Sequence, residues 1–135
     1  MTVDVTPLER AVDRLAEALE IYRRDPSQAL IRDGLVQRFE FTHDISRRIL
    51  KRYLEENAST PENFDDMTFA DVIRVGNEHG LLLGAWPRWR GYRDMRSKTG
   101  HTYDEAVALD VVAGIPGFLA EVRYLRDQLR ARPAE

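Results

Sequence analysis

The sequence predicts an all-α protein, an up-and-down bundle of about five helices. Three observations indicate this class. Apolar residues recur at three- and four-residue spacing, no segment sustains the period-two alternation of a strand, and helix-start and helix-stop residues divide the chain into five stretches. A length of 135 residues suits one domain covering residues 1–135.

The first helix is predicted to begin with Thr6 as its cap, Pro7 in its first turn and Glu9 three residues after the cap. The Asp25-Pro26 pair is predicted to end this helix and to start the next. The face predicted to enter the core is a single apolar stripe of Leu8, Val12, Leu15, Leu19 and Tyr22.

The second helix is predicted to run over residues 26–57, with Gly34 as a position where it can bend. Its apolar side carries Ile31, Leu35, Phe39, Ile45, Ile49 and Tyr53. Its opposite, polar side carries Asp33, Gln37, Glu40, Asp44 and Lys51. Residues 58–66, which include Pro61, are predicted to form a loop.

A short third helix is predicted to open on a Thr68 cap with Asp71 as its acidic partner and to end at Gly80. After a tight connection, a fourth helix is predicted over Trp86–Lys98.

The last stretch covers residues 104–130, and Gly114, Pro116 and Gly117 interrupt it. An interior proline predicts a kink or a break there. Its stripe of Val112, Ile115, Leu119, Val122, Leu125 and Leu129 can pack within the monomer or against a second copy.

The composition excludes several classes of protein. Without cysteine there is neither a disulfide scaffold nor a cysteine-ligated zinc site, and a net charge of −3 gives no overall basic surface for nucleic acid. No apolar run approaches the length of a membrane span, and the N-terminus lacks the regions of a signal peptide. We therefore expect a cytoplasmic protein that does not contact a membrane.

Arg96 stands on the apolar face of the fourth helix, among Trp89, Tyr92 and Met95. An arginine on a packed face must find an anion, since an unpaired buried charge costs several kcal/mol. The commoner explanation is a salt bridge to a carboxylate of the second helix. The functional explanation is a phosphate site, which suits the planar guanidinium group.

His101 lies five residues after Arg96, so a continuous helix would point the two side chains apart. Gly100 is predicted to take the left-handed conformation, end the helix and bring His101 back beside Arg96. With Tyr103 two residues on, this makes a compact polar cluster. Histidine exchanges protons near neutral pH and arginine stabilises phosphoryl charge, so such a pair could cleave RNA without a metal.

Other polar residues favour structural roles. Arg38 is expected to form an ion pair, within the chain or across a subunit boundary, and His43 and His79 are expected to be solvated or to cap helices. Three scattered histidines without a His-x-x-x-His pair predict no metal site, and no cofactor is predicted. The basic residues of segment 88–98 around Trp89 and Tyr92 are either a solvated helix face or an RNA-facing strip.

Two segments resemble the nucleotidyltransferase substrate-binding family of the HEPN superfamily. Residues 31–42 (IRDGLVQRFEFT) are similar to its second-helix signature, and residues 96–105 (RSKTGHTYDE) are similar to its Arg-x4-His-x-Tyr motif followed by Asp-Glu. Two departures stand out. Ser97 replaces the usual Asn, and after Thr42 the family's Phe-Glu-Leu-x-Trp-Lys reads HDISRR, so that an aromatic residue is lost and a basic pair is gained.

The resemblance implies a homodimeric helical bundle encoded near a cognate nucleotidyltransferase, acting on RNA or a nucleotide. One implied function is a metal-independent ribonuclease toxin in which Arg96 stabilises phosphate, His101 handles the proton, and the partner silences the toxin by adding AMP to Tyr103. The alternative is a non-catalytic subunit that presents nucleotide or substrate to that partner. Ser97, Arg38, Asp33 and Glu40 are expected to support the site or bind the ligand. A third, structural hypothesis makes Arg96 and His101 members of core ion pairs.

Overall fold

The computed structural model describes residues 3–60, 64 and 66–132. Within this part of the chain there are five α-helices, a short 3₁₀ turn and no strand, so the predicted all-α class is confirmed. In chain order they are α1 (Thr6–Arg24), α2 (Ala29–Glu56), α3 (Phe69–Glu78), α4 (Trp86–Lys98), the 3₁₀ turn Thr99–His101, and α5 (Glu105–Ala131).

The start of α3 and both ends of α4 agree with the prediction. The Thr68 hydroxyl accepts from the Asp71 N–H at 3.1 Å, and the Asp71 carboxylate accepts from the Thr68 N–H at 3.3 Å. Two otherwise unpaired backbone donors are thereby satisfied, which fixes where α3 begins. Gly80, with φ of 72°, follows the end of α3 in the left-handed conformation that glycine takes without a steric cost.

The predicted starts of α1 and α2 were wrong in detail. Thr6 is the first helical residue rather than the cap, and its N–H donates to the Asp4 carboxylate at 3.0 Å. The second helix begins at Ala29 rather than Pro26. The Asp25 carboxylate accepts from both the backbone N–H and the hydroxyl of Ser27, at 3.1 and 2.6 Å, and this turn delays the helix. Pro61, in the predicted loop, lies outside the described residues.

The last helix is continuous, so of the predicted kink or break at Pro116 the break was wrong. Glu105–Ala131 forms one helix with Pro116 in its interior and exposed. Proline removes one backbone hydrogen bond of the helix. On both sides of it, Ile115 and Phe118 are fully buried, and this packing holds the two halves of α5 in one helix.

One core lies between the helices. α1 packs on α2 and α5, α5 also contacts α4, and α3 lies against α2 and α4. The stripes predicted for the first and last helices are all buried, so the last stripe packs within the monomer. In the part of the chain that the structure describes, no helix is long and apolar enough to cross a membrane.

Glu121 is a buried carboxylate that the sequence analysis missed. Only 1% of its surface is exposed, and its two oxygens accept from the backbone N–H groups of Leu83 and Gly84 at 2.7 and 2.8 Å. Burial raises the pKa of this carboxyl group, although the two hydrogen bonds oppose the shift. The contact ties the connection before α4 to α5, and so helps to place the helix that carries Arg96.

We expect Glu121→Ala to lower the free energy of unfolding by about 2 kcal/mol, because one buried and one part-buried backbone donor lose their acceptor, a loss that outweighs the removal of a buried carboxylate. For a domain of this size the midpoint of thermal unfolding should fall by about 6–10 °C. Differential scanning calorimetry measures both values. The exposed Glu20→Ala is the control, and equal melting of the two variants would contradict the role of Glu121.

Candidate active site

Arg96, in the last turn of α4, is paired with carboxylates of α2. Its Nε and Nη2 donate to the two oxygens of Asp44 at 2.9 and 3.0 Å, and Nη2 lies 3.4 Å from Glu40 Oε1. The salt bridge to the second helix, one of the two explanations from the sequence, is therefore present. The partial burial of Arg96 is compensated, because its guanidinium and the Asp44 carboxylate form the two parallel hydrogen bonds that suit arginine.

The 3₁₀ turn provides a hydrogen-bond acceptor for the third nitrogen of the same guanidinium. Arg96 Nη1 donates to the Thr99 hydroxyl at 3.1 Å, and that hydroxyl donates to the Arg96 carbonyl at 2.8 Å. Three of the five guanidinium N–H groups are used by Asp44 and Thr99. Glu40 lies beside the second N–H of Nη2, and the side chain still exposes 32% of its surface, so the second N–H of Nη1 can reach an anion from solvent.

The electrostatics keep this cluster ionised. The hydrogen bond from Arg96 lowers the pKa of Asp44, and the hydrogen bond to Asp44 raises the pKa of Arg96. One guanidinium facing two carboxylates gives the group a formal charge of −1. An arriving phosphate therefore meets an arginine that is well oriented but largely neutralised.

Gly100 does not have the predicted left-handed conformation. In the described part of the chain, positive φ is found at Gly80. The chain instead turns through the 3₁₀ segment Thr99–His101, whose backbone angles are available to any residue. The Asp104 N–H then donates to the His101 carbonyl at 3.1 Å. The Asp104 carboxylate caps α5 by accepting from Ala106 N–H at 2.9 Å.

His101 and Tyr103 lie together on the surface just after α4. Both are exposed, and their rings meet edge to face with centroids 6.1 Å apart. Tyr103 exposes 87% of its surface, so its hydroxyl is open to another protein. The imidazole and the guanidinium flank the same turn, but Arg96 is directed to α2 while the His101 ring contacts Tyr103.

The four supporting residues lie in different places. Asp33 and Glu40 line a polar cleft beside the 3₁₀ turn, and Ser97 donates to the Asp94 carbonyl at 2.7 Å on the exposed side of α4. Arg38 lies on the α1 side of α2. It donates to the Arg14 carbonyl at 2.8 Å and pairs with Glu17 of the same chain at 3.4 Å.

The basic residues of α4 agree with a solvated helix face, one of the two explanations from the sequence. All of them except Arg96 are exposed, whereas Trp89 and Tyr92 are buried and so offer no stacking surface for RNA. His43 was expected to be solvated or to cap a helix, yet it is 1% exposed, whereas His79 is exposed at the end of α3. Among the described residues, no group of three His, Asp or Glu side chains could hold a metal.

His43 lies in a cluster of aromatic rings directly behind Asp44. Its ring stacks on Phe118 with centroids 5.9 Å apart and also approaches Phe39, Phe69 and Trp89. Its Nδ1 lies 3.8 Å from Asp44 Oδ1, too far for a hydrogen bond. Burial lowers the pKa of His43 to about 4, so the ring is neutral at physiological pH. The signal in the sequence was that the related family has Phe here.

Comparison with known proteins supports the resemblance found in the two sequence segments. A family model described as "Nucleotidyltransferase substrate binding protein like" matches residues 3–131. A Haemophilus influenzae protein named "Probable ribonuclease HepT" is 39% identical over 99 residues, which are 73% of this chain and 67% of that protein.

A solved structure from the same organism, described as the fold of a substrate-binding domain of a nucleotidyltransferase, is also similar. It superposes with a TM-score of 0.87 at 32% identity, covering 94% of this chain and 99% of that one. The segment that carries Arg96, His101 and Tyr103, from the end of α4 to the start of α5, is thus part of a shared fold. Since the family model spans almost the whole chain, this protein belongs to the nucleotidyltransferase substrate-binding protein family.

Proposed function

We propose that this protein is a metal-independent ribonuclease toxin that a nucleotidyltransferase partner silences by adding AMP to Tyr103. The observation that carries the proposal is the arrangement at the end of α4. Arg96 is held in a fixed orientation by Asp44 and Thr99 with one N–H group to spare, and the exposed His101 ends the 3₁₀ turn that follows. The similarity to a protein named as a probable ribonuclease supports it.

The chemistry needs a proton carrier and an anion stabiliser. In RNA cleavage the ribose 2′-oxygen bonds to phosphorus while the bond from phosphorus to the 5′-oxygen breaks, the 2′-hydroxyl loses a proton and the leaving oxygen gains one. His101 exchanges a proton in this reaction, and Arg96 donates hydrogen bonds to the non-bridging oxygens as their charge grows. Asp44 acts by holding Arg96 in place.

The exposed hydroxyl of Tyr103 fits the proposed silencing. It attacks the α-phosphorus of ATP, pyrophosphate leaves, and the hydroxyl proton is lost. The product carries a bulky anion beside His101, whose ring is within 6.1 Å of the Tyr103 ring. A negative charge there repels the phosphate backbone of RNA.

A homodimer is part of the proposal, and an exposed apolar strip on α2 supports it. Leu30 is 86% exposed and Phe41 is 52% exposed, and helical geometry puts both on the same face as Gly34 and Ile45. Large apolar side chains in one exposed strip are typical of protein interfaces.

Sedimentation equilibrium should give twice the mass of one chain for the wild type. Phe41→Glu should give the mass of one chain, because it places a charge in the apolar strip.

A second candidate function is a binding subunit that presents nucleotide to its partner without chemistry of its own. The observation that favours it is the neutralisation of Arg96 by Asp44 and Glu40, which leaves little positive charge to stabilise a phosphoryl transition state. The similarity to a structure described as a substrate-binding domain also favours it.

Expression of the chain alone in bacteria tests the two functions. We expect the wild type to arrest growth and His101→Ala to permit growth, because the exposed imidazole contributes chemistry and no core packing. Circular dichroism must show equal folding of both proteins. Normal growth with the soluble, folded wild type would exclude the toxin and favour the binding subunit.

A further inference from the structure

An open polar cleft lies between α2 and the 3₁₀ turn, next to Arg96. Its volume is about 450 Å³, within the range of small-molecule sites and sufficient for a nucleoside. We call it the α2–turn cleft. It is lined by Leu30, Asp33, Gly34, Val36, Gln37, Glu40, Thr99 and Thr102. Leu30 and Gly34 also belong to the exposed α2 strip of the proposed dimer, so a second copy of the chain borders the cleft on that side.

Two residues line the cleft and also contact the Arg96 guanidinium. Glu40 lines the cleft and lies 3.4 Å from Arg96 Nη2, and Thr99 lines the cleft and accepts from Arg96 Nη1 at 3.1 Å. A phosphate held by the free N–H group of Arg96 therefore has its attached nucleoside within reach of this cleft. The carboxylates of Asp33 and Glu40 repel the phosphate itself, so charge sets the orientation of the ligand.

Asp33 and Gln37 are the residues with unused hydrogen-bonding capacity. In the part of the chain that the structure describes, neither side chain has a hydrogen bond or an ion pair, and both are exposed at the cleft. Glu40, by contrast, is already engaged by Arg96. A base entering the cleft thus meets one free carboxylate acceptor and one free amide.

We propose that the α2–turn cleft binds the nucleobase next to the phosphate at Arg96 and selects bases with an amino group at the pyrimidine 4-position or the purine 6-position, cytosine or adenine. The Asp33 carboxylate accepts from such an amino group, and the Gln37 amide can pair with adjacent donor and acceptor atoms of the same base edge. Uracil and hypoxanthine place a carbonyl oxygen where the amino group would be, and two acceptors facing each other repel. Asp33 is the specificity-determining residue.

This inference deepens the proposed function and rests on it, because Arg96 must bind the phosphate. The test is calorimetric titration of the full wild-type chain with cytidine and uridine 3′-monophosphates, and with the adenosine and inosine pair. Each pair differs little in shape. We expect the amino-bearing member to bind at least about fivefold more tightly, the lower end of discrimination by a base-edge hydrogen-bond pair. Equal affinities within both pairs would overturn the proposal.

Two variants distinguish the effect of the Asp33 carboxylate on base preference from the effect of a change in net charge. Asp33→Asn replaces one acceptor oxygen by a donor and should reduce each preference to less than about twofold. Glu78→Gln makes the same charge change on α3, where Glu78 pairs with Arg74, and should keep the preference. An undiminished preference in Asp33→Asn would show that Asp33 does not read the base.

Cleavage of synthetic RNAs shows which of the two proposals is wrong, the base-binding cleft or the ribonuclease activity. Oligonucleotides that differ only by cytosine or uracil at one position are incubated with wild type and Asp33→Asn. Cleavage without a base preference would overturn the cleft assignment and leave the ribonuclease standing. Intact RNA together with discrimination between the monophosphates would overturn the ribonuclease and leave the cleft standing.

Discussion

Arg96→Lys should reduce RNA cleavage by about 100- to 1000-fold, the loss expected when one donor to a developing phosphoryl charge is removed. Lysine keeps the positive charge and can still meet Asp44, so the ion pair between α4 and α2 survives. It cannot make two parallel hydrogen bonds to Asp44, reach Thr99 and also donate to a phosphate, because its donors radiate from a single nitrogen.

The measurement is single-turnover cleavage of a labelled RNA, with unfolding followed in parallel. Arg90→Lys is a matched control, since Arg90 lies on the exposed side of the same helix. We expect it to cleave within about twofold of the wild type, as surface changes do. If Arg96→Lys cleaves as fast as Arg90→Lys, the guanidinium has only the structural role of an ion-pair partner.

The sequence was sufficient to predict the helices because their signals are local. Residues at three- and four-residue spacing predicted the buried stripes of α1 and α5, and the pair Thr68 and Asp71 fixed the start of α3. Local signals also caused the errors. Thr6 and Asp4 both offer a capping oxygen, and Pro116 lies in a helix whose two halves are held by packing from other helices.

The candidate site was only partly predictable, for a physical reason. Spacing placed Arg96, His101 and Tyr103 near one turn, but the pairing of Arg96 with Asp44 joins residues 52 positions apart. The bonds of Glu121 to Leu83 and Gly84 likewise depend on how α5 packs. Glu121 does lie three residues after Phe118 and four before Leu125, so an acidic residue inside an apolar stripe was the available signal.

His43 should make the protein lose stability between about pH 6.5 and pH 4. In the native state burial holds the pKa of His43 at about 4, whereas the unfolded chain has the ordinary value of 6.5. Between these values the unfolded state binds a proton that the native state does not. The stability that depends on neutral His43 is therefore fully present above pH 6.5. It falls as the pH decreases and does not change further below pH 4. A difference of about 2.5 pH units corresponds to about 3 kcal/mol.

Urea unfolding at pH 7.5, 5.5 and 4.5 measures the effect, and His43→Phe should flatten the curve over this range. Phenylalanine has no titratable group, and it restores the aromatic residue of the related family among Phe39, Phe69, Trp89 and Phe118. His43→Leu serves as a second variant if the larger ring packs poorly, because the slope rather than the absolute stability is the readout.

The charged neighbours of His43 act on its pKa in both directions, so burial is the main cause of its low value. Arg96 and Arg47 oppose protonation, and Asp44 alone favours it. Acid therefore acts on the core directly behind the candidate site, since Asp44 holds Arg96 and adjoins His43. The exposed His79→Gln is the control and should keep the wild-type slope. If His43→Phe and wild type lose stability in parallel from pH 7.5 to 4.5, another group is responsible and His43 is not buried in its neutral form.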